Sequence, residues 1–179
     1  MRAVVAEPHF TLGPEEPAVT VLRSMQAATY PTYVEAAISG YAEDNVGAGR
    51  WARVGALERS RDDFASLLPR GLDTPDNFLF EILENDGGAI VGFLWYAIER
   101  KHGSCAAYIY DLEVRTEHRR KGHARRALHA LELVAAESGA TSIGLNVFAN
   151  NVGAQALYQD LGYAPTNVNM HKSLKRAGA

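Results

Sequence analysis

A single cysteine, Cys105, stands in the whole chain, so no intramolecular disulfide can form and no cysteine-based zinc spacing exists. As a small apolar residue beside a strand-like segment it reads as packing rather than as a nucleophile. No run of about 18 apolar residues occurs, which excludes an ordinary transmembrane helix. The opening segment, Met1 to Pro8, is too short and turns acidic too soon for a signal peptide. Charge of one sign is lacking too. Lys and Arg number 18 against 21 Asp and Glu, a formal net charge of −3, and this gives no global footprint for nucleic acid. Nor is there a phosphate loop of the GxxxxGK type or a dinucleotide fingerprint with three spaced glycines. These absences lead to the expectation of a reduced, cytoplasmic protein with neither nucleic acid nor membrane as partner.

What is present suits one domain. The 179 residues are 47% hydrophobic and 22% charged, enough for a substantial core. Residues 1–16, with two prolines and two glutamates, read as a loose lead-in; residues 17–174 read as a single domain and 175–179 as a tail. Val19 to Leu22 is a candidate first strand. Gln26 to Ala48 has helical composition broken by Pro31 and Gly40, which predicts two helical pieces. Trp51 to Leu68 predicts a further helix, stopped by Pro69 and Gly71. The period then becomes two: Phe78 to Leu83 and Ala89 to Ile98 flank Asn85-Asp86-Gly87-Gly88, a hairpin signature. Ala106 to Val114 follows as a third strand, with Tyr108, Tyr110, Leu112 and Val114 expected on one face and Ile109, Asp111 and Glu113 on the other.

Beyond Gly122 the helical period returns through Ala124, Ala127, Leu128, Leu131, Val134 and Ala135, ending at Gly139. Ile143, Leu145 and Val147 alternate as a buried strand. Ala154, Leu157, Tyr158 and Leu161 mark a last helix stopped by Gly162, and Thr166 to Leu174 alternates weakly as an edge strand. The order predicts an α/β (α+β) fold: a central, mixed, mostly antiparallel twisted sheet of six to seven strands, with helices on both faces.

The chemistry concentrates after Leu112-Glu113-Val114. The segment Arg119-Arg120-Lys121-Gly122-His123-Ala124 joins a strand to a helix N-terminus through a short basic loop. Helix-initial N–H groups lack intrahelical partners, and the macrodipole adds partial positive charge, so this is an anion site. Gly122 permits close backbone approach to a phosphate, and Arg119, Arg120, Lys121, Arg125 and Arg126 add charge in an otherwise acidic chain. A merely solvated basic first turn is the plain alternative.

Arg119 to Ala124 matches the Q/R-x-x-G-x-G/A pyrophosphate motif, and Leu145-Asn146-Val147 with Asn151, Ala154, Leu157, Tyr158, Gly162 and Tyr163 matches LxVxxxNxxAxxLYxxxG followed by Phe or Tyr. Over residues 75–174 the chain thereby resembles the GNAT superfamily of N-acetyltransferases. The resemblance implies an acetyl-CoA-dependent enzyme that acetylates a primary amine by direct attack in a ternary complex. The pantetheine arm would pair with the backbone at Leu112 to Val114. The pyrophosphate would rest on the backbone from Arg120 to Arg125, within a cofactor-binding set of Arg119, Arg120, Lys121, Gly122, His123, Ala124 and Arg125. Asn151 would hold the cofactor arm near the thioester, and a backbone N–H near Val114 would polarise its carbonyl. Tyr158 would be the general acid for the thiolate; a core tyrosine with a satisfied hydroxyl is the plain alternative.

The base is left open. The family's ribosomal-protein acetyltransferases often carry glutamate where this chain has Asn146, which is no base. The remaining candidates are Asp111 and Glu113, of which Asp111 occupies a position where related polyamine acetyltransferases carry an acid. His102, His118, His123 and His129 show no metal-ligand spacing, so no metal is assigned. The acceptor is expected to be a small-molecule amine. Acylation of a protein N-terminus or lysine, and a non-catalytic acyl-CoA sensor or scaffold, are the alternatives. The assembly is expected to be a monomer or homodimer.

Overall fold

The computed structural model describes residues 20–101, 103–170 and 172. The expected lead-in, the C-terminal tail and residues 17–19 lie outside them. Nine elements carry the fold: β1 (Val21–Ser24), α1 (Tyr30–Gly47), α2 (Ala56–Leu67), β2 (Asn77–Leu83), β3 (Ile90–Lys101), β4 (Ser104–Val114), α3 (His123–Glu137), β5 (Ile143–Leu145) and α4 (Val152–Asp160). The strands form one sheet in the order β1-β2-β3-β4-β5, antiparallel throughout except for the parallel pair β4 and β5. The mixed, mostly antiparallel character is as expected. The strand number is not: five strands are present among the described residues instead of six to seven. Thr166 to Met170, expected in an edge strand, form none; they are exposed, with Val168 and Met170 among the most exposed apolar side chains.

A helix cluster covers each face. On one, Tyr33 and Ile38 of α1 and Phe64 of α2 pack with Leu79, Phe93 and Trp95. On the other, Ala127, Leu128, Leu131 and Ala135 of α3 pack with Ile82, Leu94, Tyr96 and Ile109; α4 adds Leu157 and Tyr158, and its C-cap residue Leu161 joins them. The i, i+4, i+8 spacing of Ala127, Leu131 and Ala135 puts all three on a single stripe, which is why α3 lies flat on the sheet.

The first helix corrects the sequence reading. One continuous α1 replaces the two expected pieces. Pro31 falls in its first turn, where an N–H has no intrahelical acceptor to lose, so the ring starts the helix rather than breaking it. Gly40 adds nothing sterically, since a Cβ there would meet no atom, and its cost of about 1 kcal/mol is outweighed by burial of Tyr33, Ile38 and Ala42.

A second correction concerns β4. Trp95 pairs with Asp111 but Tyr96 pairs with Ile109, so Tyr110 is an extra residue, a β-bulge. Beyond a bulge the in–out alternation shifts by one. Tyr110 and Asp111 therefore both face α1 and α2: Tyr110 stacks on Trp95 at 4.7 Å, and Asp111 accepts a hydrogen bond from the Tyr33 hydroxyl at 3.0 Å. Leu112 joins Ile109 on the α3 side. The expected groupings of Tyr110 with Leu112 and of Ile109 with Asp111 are both broken by that one residue.

Beneath β1, Glu81 is fully buried, with its carboxylate taking Arg23 Nη2 at 2.6 Å and the Gln26 N–H at 3.1 Å. Burial alone would raise its pKa. The hydrogen bonds from Thr29, Arg23 and Gln26 outweigh that and hold it below the usual carboxylate range.

Candidate active site

The bulge sits where β4 and β5 part. Their pairing runs through Ala107–Ile143, Tyr108–Gly144 and Ile109–Leu145 and then stops, while β4 continues to Val114. The edge from Tyr110 to Val114 is thus unpaired on the β5 side. Arg115 N–H donates to the Val91 carbonyl of β3, so by alternation Glu113 also faces β3, and Leu112 and Val114 turn their backbone groups to the gap. In keeping with this, the Val114 carbonyl accepts from Arg119 Nε at 2.9 Å rather than from β3.

A 3₁₀ turn, Thr116–His118, leads into the basic loop. Arg120 (φ 64°) and Gly122 (φ 82°) are both left-handed, a sharply turned path into α3. No side chain caps α3, and its first backbone bond is Arg126 N–H to the Gly122 carbonyl. The amides of His123, Ala124 and Arg125 have no acceptor among the described residues, which is the donor array that an anion needs. The basic side chains divide their work. Arg126 binds the Lys121 carbonyl and Thr20, Arg125 pairs with Asp160, and Arg120 and Lys121 stay exposed.

Gly122 is under two constraints at once. Its φ is unfavourable for any L side chain, and an added Cβ would meet Arg126 Nη1 at 2.7 Å. Gly122→Ala is expected to cost about 1–2 kcal/mol of stability, read by urea denaturation, and to weaken coenzyme A binding measurably in calorimetry. Unchanged affinity would mean that the loop's shape is irrelevant to the ligand.

Two titratable groups singled out in the sequence have raised pKa values. Asp111 keeps part of its surface open but is closely surrounded by protein. Burial raises its pKa to about 6 against the pull of the Tyr33 hydrogen bond, with Glu113 and Asp44 adding repulsion. Tyr158 of α4 is half-buried and packs on Tyr163 at 5.4 Å; burial pushes its hydroxyl up to about 12, and the charge of Asp111 adds to this. Two candidate acids therefore differ sharply in environment: Glu113 is exposed, whereas Asp111 is embedded and held by Tyr33. Asn151, another residue singled out in the sequence, is the N-cap of α4, its Oδ1 accepting from Ala154 N–H at 3.1 Å. Its amide nitrogen is the group left for a ligand.

Sequence reasoning missed Tyr33, because an isolated tyrosine on a helix with no motif carries no signal. The sequence offered Tyr108 and Tyr110 as acceptor-pocket liners or as sheet packing, and gave no sign of their aromatic neighbours on the α1 and α2 side. Tyr108 lies 5.0 Å from Tyr110, Tyr110 stacks on Trp95, and Tyr41 meets Trp51 edge-on at 5.3 Å, with the Arg59 guanidinium over Trp51. Cys105 is only partly buried and packs against the α3 side, remote from this aromatic wall.

A strand edge left free beyond a bulge lies next in the chain to a turned basic loop that feeds an uncapped helix. The family model of the acetyltransferase (GNAT) family matches residues 42–163, and the chain belongs to that family. The uncharacterized N-acetyltransferase YycN of Bacillus subtilis (strain 168) is 38% identical over 154 residues, covering 86% of this chain and 98% of that protein. YdgE of the same organism, also an uncharacterized N-acetyltransferase, is 33% identical over 153 residues, 86% of this chain and 97% of its own length. The crystal structure of YycN superposes with a TM-score of 0.83 at 37% identity, over 88% of this chain and 100% of that one. A soil-metagenome aminoglycoside acetyltransferase, meta-AAC0020, shares the fold with a TM-score of 0.56 at 17% identity, over 87% of this chain and 97% of that one. No described helix is long and apolar enough to cross a membrane.

Proposed function

We propose that this protein transfers the acetyl group of acetyl-CoA to a primary amine of a small cationic molecule, with both substrates bound at once. The observation that carries the reading is the β4 edge left unpaired beyond Ile109, followed by the basic loop whose first α3 amides have no acceptor among the described residues. The residues fit the nucleotide. The unpaired amides of His123, Ala124 and Arg125 suit its pyrophosphate, with Arg119, Arg120 and Lys121 around them. The backbone of Leu112 and Val114 suits the amide-bearing pantetheine arm, and Asn151 Nδ2 stands ready beyond it.

The thioester supplies the activated acyl group; the chain supplies orientation and proton management. A lysine-like amine of pKa about 10.4 must lose a proton before it attacks, at roughly 4–5 kcal/mol at pH 7. Asp111, ionised above about pH 6, attracts the ammonium and takes that proton directly or through a water. Glu113, exposed, adds to the attraction rather than to the transfer. A Val114 N–H turned to the gap would stabilise the acyl oxygen. Tyr158, protonated throughout the working range, gives its O–H to the charge that develops on the departing sulfur.

Asp44, Asp111 and Glu113 bring negative charge to a wall of tyrosine and tryptophan, which favours a small cation over a neutral or acidic acceptor. The test is thiol release from acetyl-CoA against polyamines, amino acids, aminoglycosides and short peptides. Small di- or polycationic amines are expected to be the fastest acceptors. A peptide N-terminus faster than all of them would overturn the small-molecule reading.

A further inference from the structure

Away from the aromatic wall, three side chains with ligand atoms meet beside the basic loop. Glu84 follows the last residue of β2, His118 ends the 3₁₀ turn, and His123 is the first residue of α3. One carboxylate oxygen and one nitrogen from each ring all lie within 4.8 Å of one another. The rings stand 6.3 Å apart between centroids, at 71°. This is not a surface cluster. His123 is only 2% exposed, and its Nε2 is buried with no hydrogen-bond partner; His118 Nδ1 is likewise buried and unpartnered. A buried imidazole nitrogen without a partner carries a desolvation cost that a fold does not normally leave standing, and here two such nitrogens adjoin a carboxylate.

We infer that Glu84, His118 and His123 form a binding site for a zinc-class divalent cation that ties the coenzyme loop to the end of β2. Two imidazoles and a carboxylate are a zinc-type donor set, whereas Mg²⁺ prefers all-oxygen surroundings. Bonds of about 2.0–2.1 Å to a tetrahedral ion put its ligand atoms about 3.4 Å apart. The three ligand atoms, all within 4.8 Å of one another, have to draw closer to reach that spacing.

The other nitrogen of His123, Nδ1, already has outer neighbours, Thr20 Oγ1 at 3.1 Å and, more distant, Arg126 Nη2 at 3.4 Å. That hydroxyl accepts Arg126 Nε at 2.7 Å and has a second lone pair; the tautomer that donates Nδ1–H to it is the one that offers Nε2 to a metal. Arg126, Lys121 and the positive end of α3 oppose a cation, and the Glu84 carboxylate offsets them. Since His118 and His123 bracket Arg119 to Gly122, the ion would clamp both ends of the loop.

The experiment uses tag-free, chelator-treated full-length protein and titrates Zn²⁺ by calorimetry, with Mg²⁺ as a control. Imidazole ring ¹⁵N shifts are followed by NMR in the same samples. One Zn²⁺ per chain is expected, with shifts confined to His118 and His123 and no response to Mg²⁺. Glu84→Gln and His118→Asn should each weaken Zn²⁺ at least about tenfold. The ring shifts need no variant, so the result stands even if a substitution impairs folding. Failure of the wild-type protein to bind one equivalent, unchanged affinity in both folded variants, or shifts at other histidines instead would overturn the site.

Discussion

Asp111→Asn is expected to lower kcat by about 10²–10⁴-fold, the range for losing a positioned general base, while leaving the fold intact or slightly more stable. Asparagine can still accept the Tyr33 hydrogen bond, so the geometry at the bulge survives. The stability sign follows from the raised pKa. The folded protein holds the Asp111 proton up to about pH 6, whereas the unfolded chain releases it near the ordinary value of 3.8. Between these values the folded state binds more protons, so this group's contribution grows more favourable as pH falls through 6 and is a cost at pH 7. The amide removes that cost. The wild-type acid limb of kcat/KM against an amine should show an apparent pKa near 6, and the limb should vanish in the variant. Tyr33→Phe removes the hydrogen bond that favours the carboxylate and should move the limb above 6. Full activity in Asp111→Asn would remove this residue from the mechanism and return the base to Glu113 or to water alone.

The second large effect is at Tyr158. Tyr158→Phe deletes one hydroxyl that makes no hydrogen bond among the described residues, while the ring keeps its contact with Tyr163 and the α3 side of the core. Stability should change by less than about 1 kcal/mol. Turnover should fall by about 10²–10³, typical of removing one donor to developing charge, and coenzyme A affinity should hold within a few-fold. Stopped-assay kcat beside calorimetric Kd separates the outcomes. A parallel loss of affinity would make Tyr158 a binding residue, and no loss of either would make it core packing.

Much of this architecture was legible in the sequence because it rests on strong periodic or motif signals. The stripe of α3, the hairpin at Asn85 to Gly88 and the glycine at 122 each answer to a local rule. What was illegible is also physical. One inserted residue, Tyr110, inverts which faces Asp111 and Leu112 occupy, and bulges leave no mark in hydropathy. Pro31 looked like a breaker because its effect depends on helix position, which only the packing of Tyr33 and Ile38 fixes. Tyr33 reaches Asp111 across 78 positions of sequence, and Glu84 reaches two histidines of a later segment. Such pairings are made by topology, not spacing. Of the two acids named from sequence, the surroundings distinguish Asp111, partly buried and hydrogen-bonded to Tyr33, from Glu113, exposed.

The central claim is that the open β4 edge and the uncapped start of α3 bind acetyl-CoA. Calorimetric titration of acetyl-CoA and of coenzyme A into the purified protein tests it most directly. Saturable one-to-one binding of both at micromolar concentration is the predicted result. Absence of binding by either ligand at high micromolar concentration would contradict the account and leave a family fold without its cosubstrate.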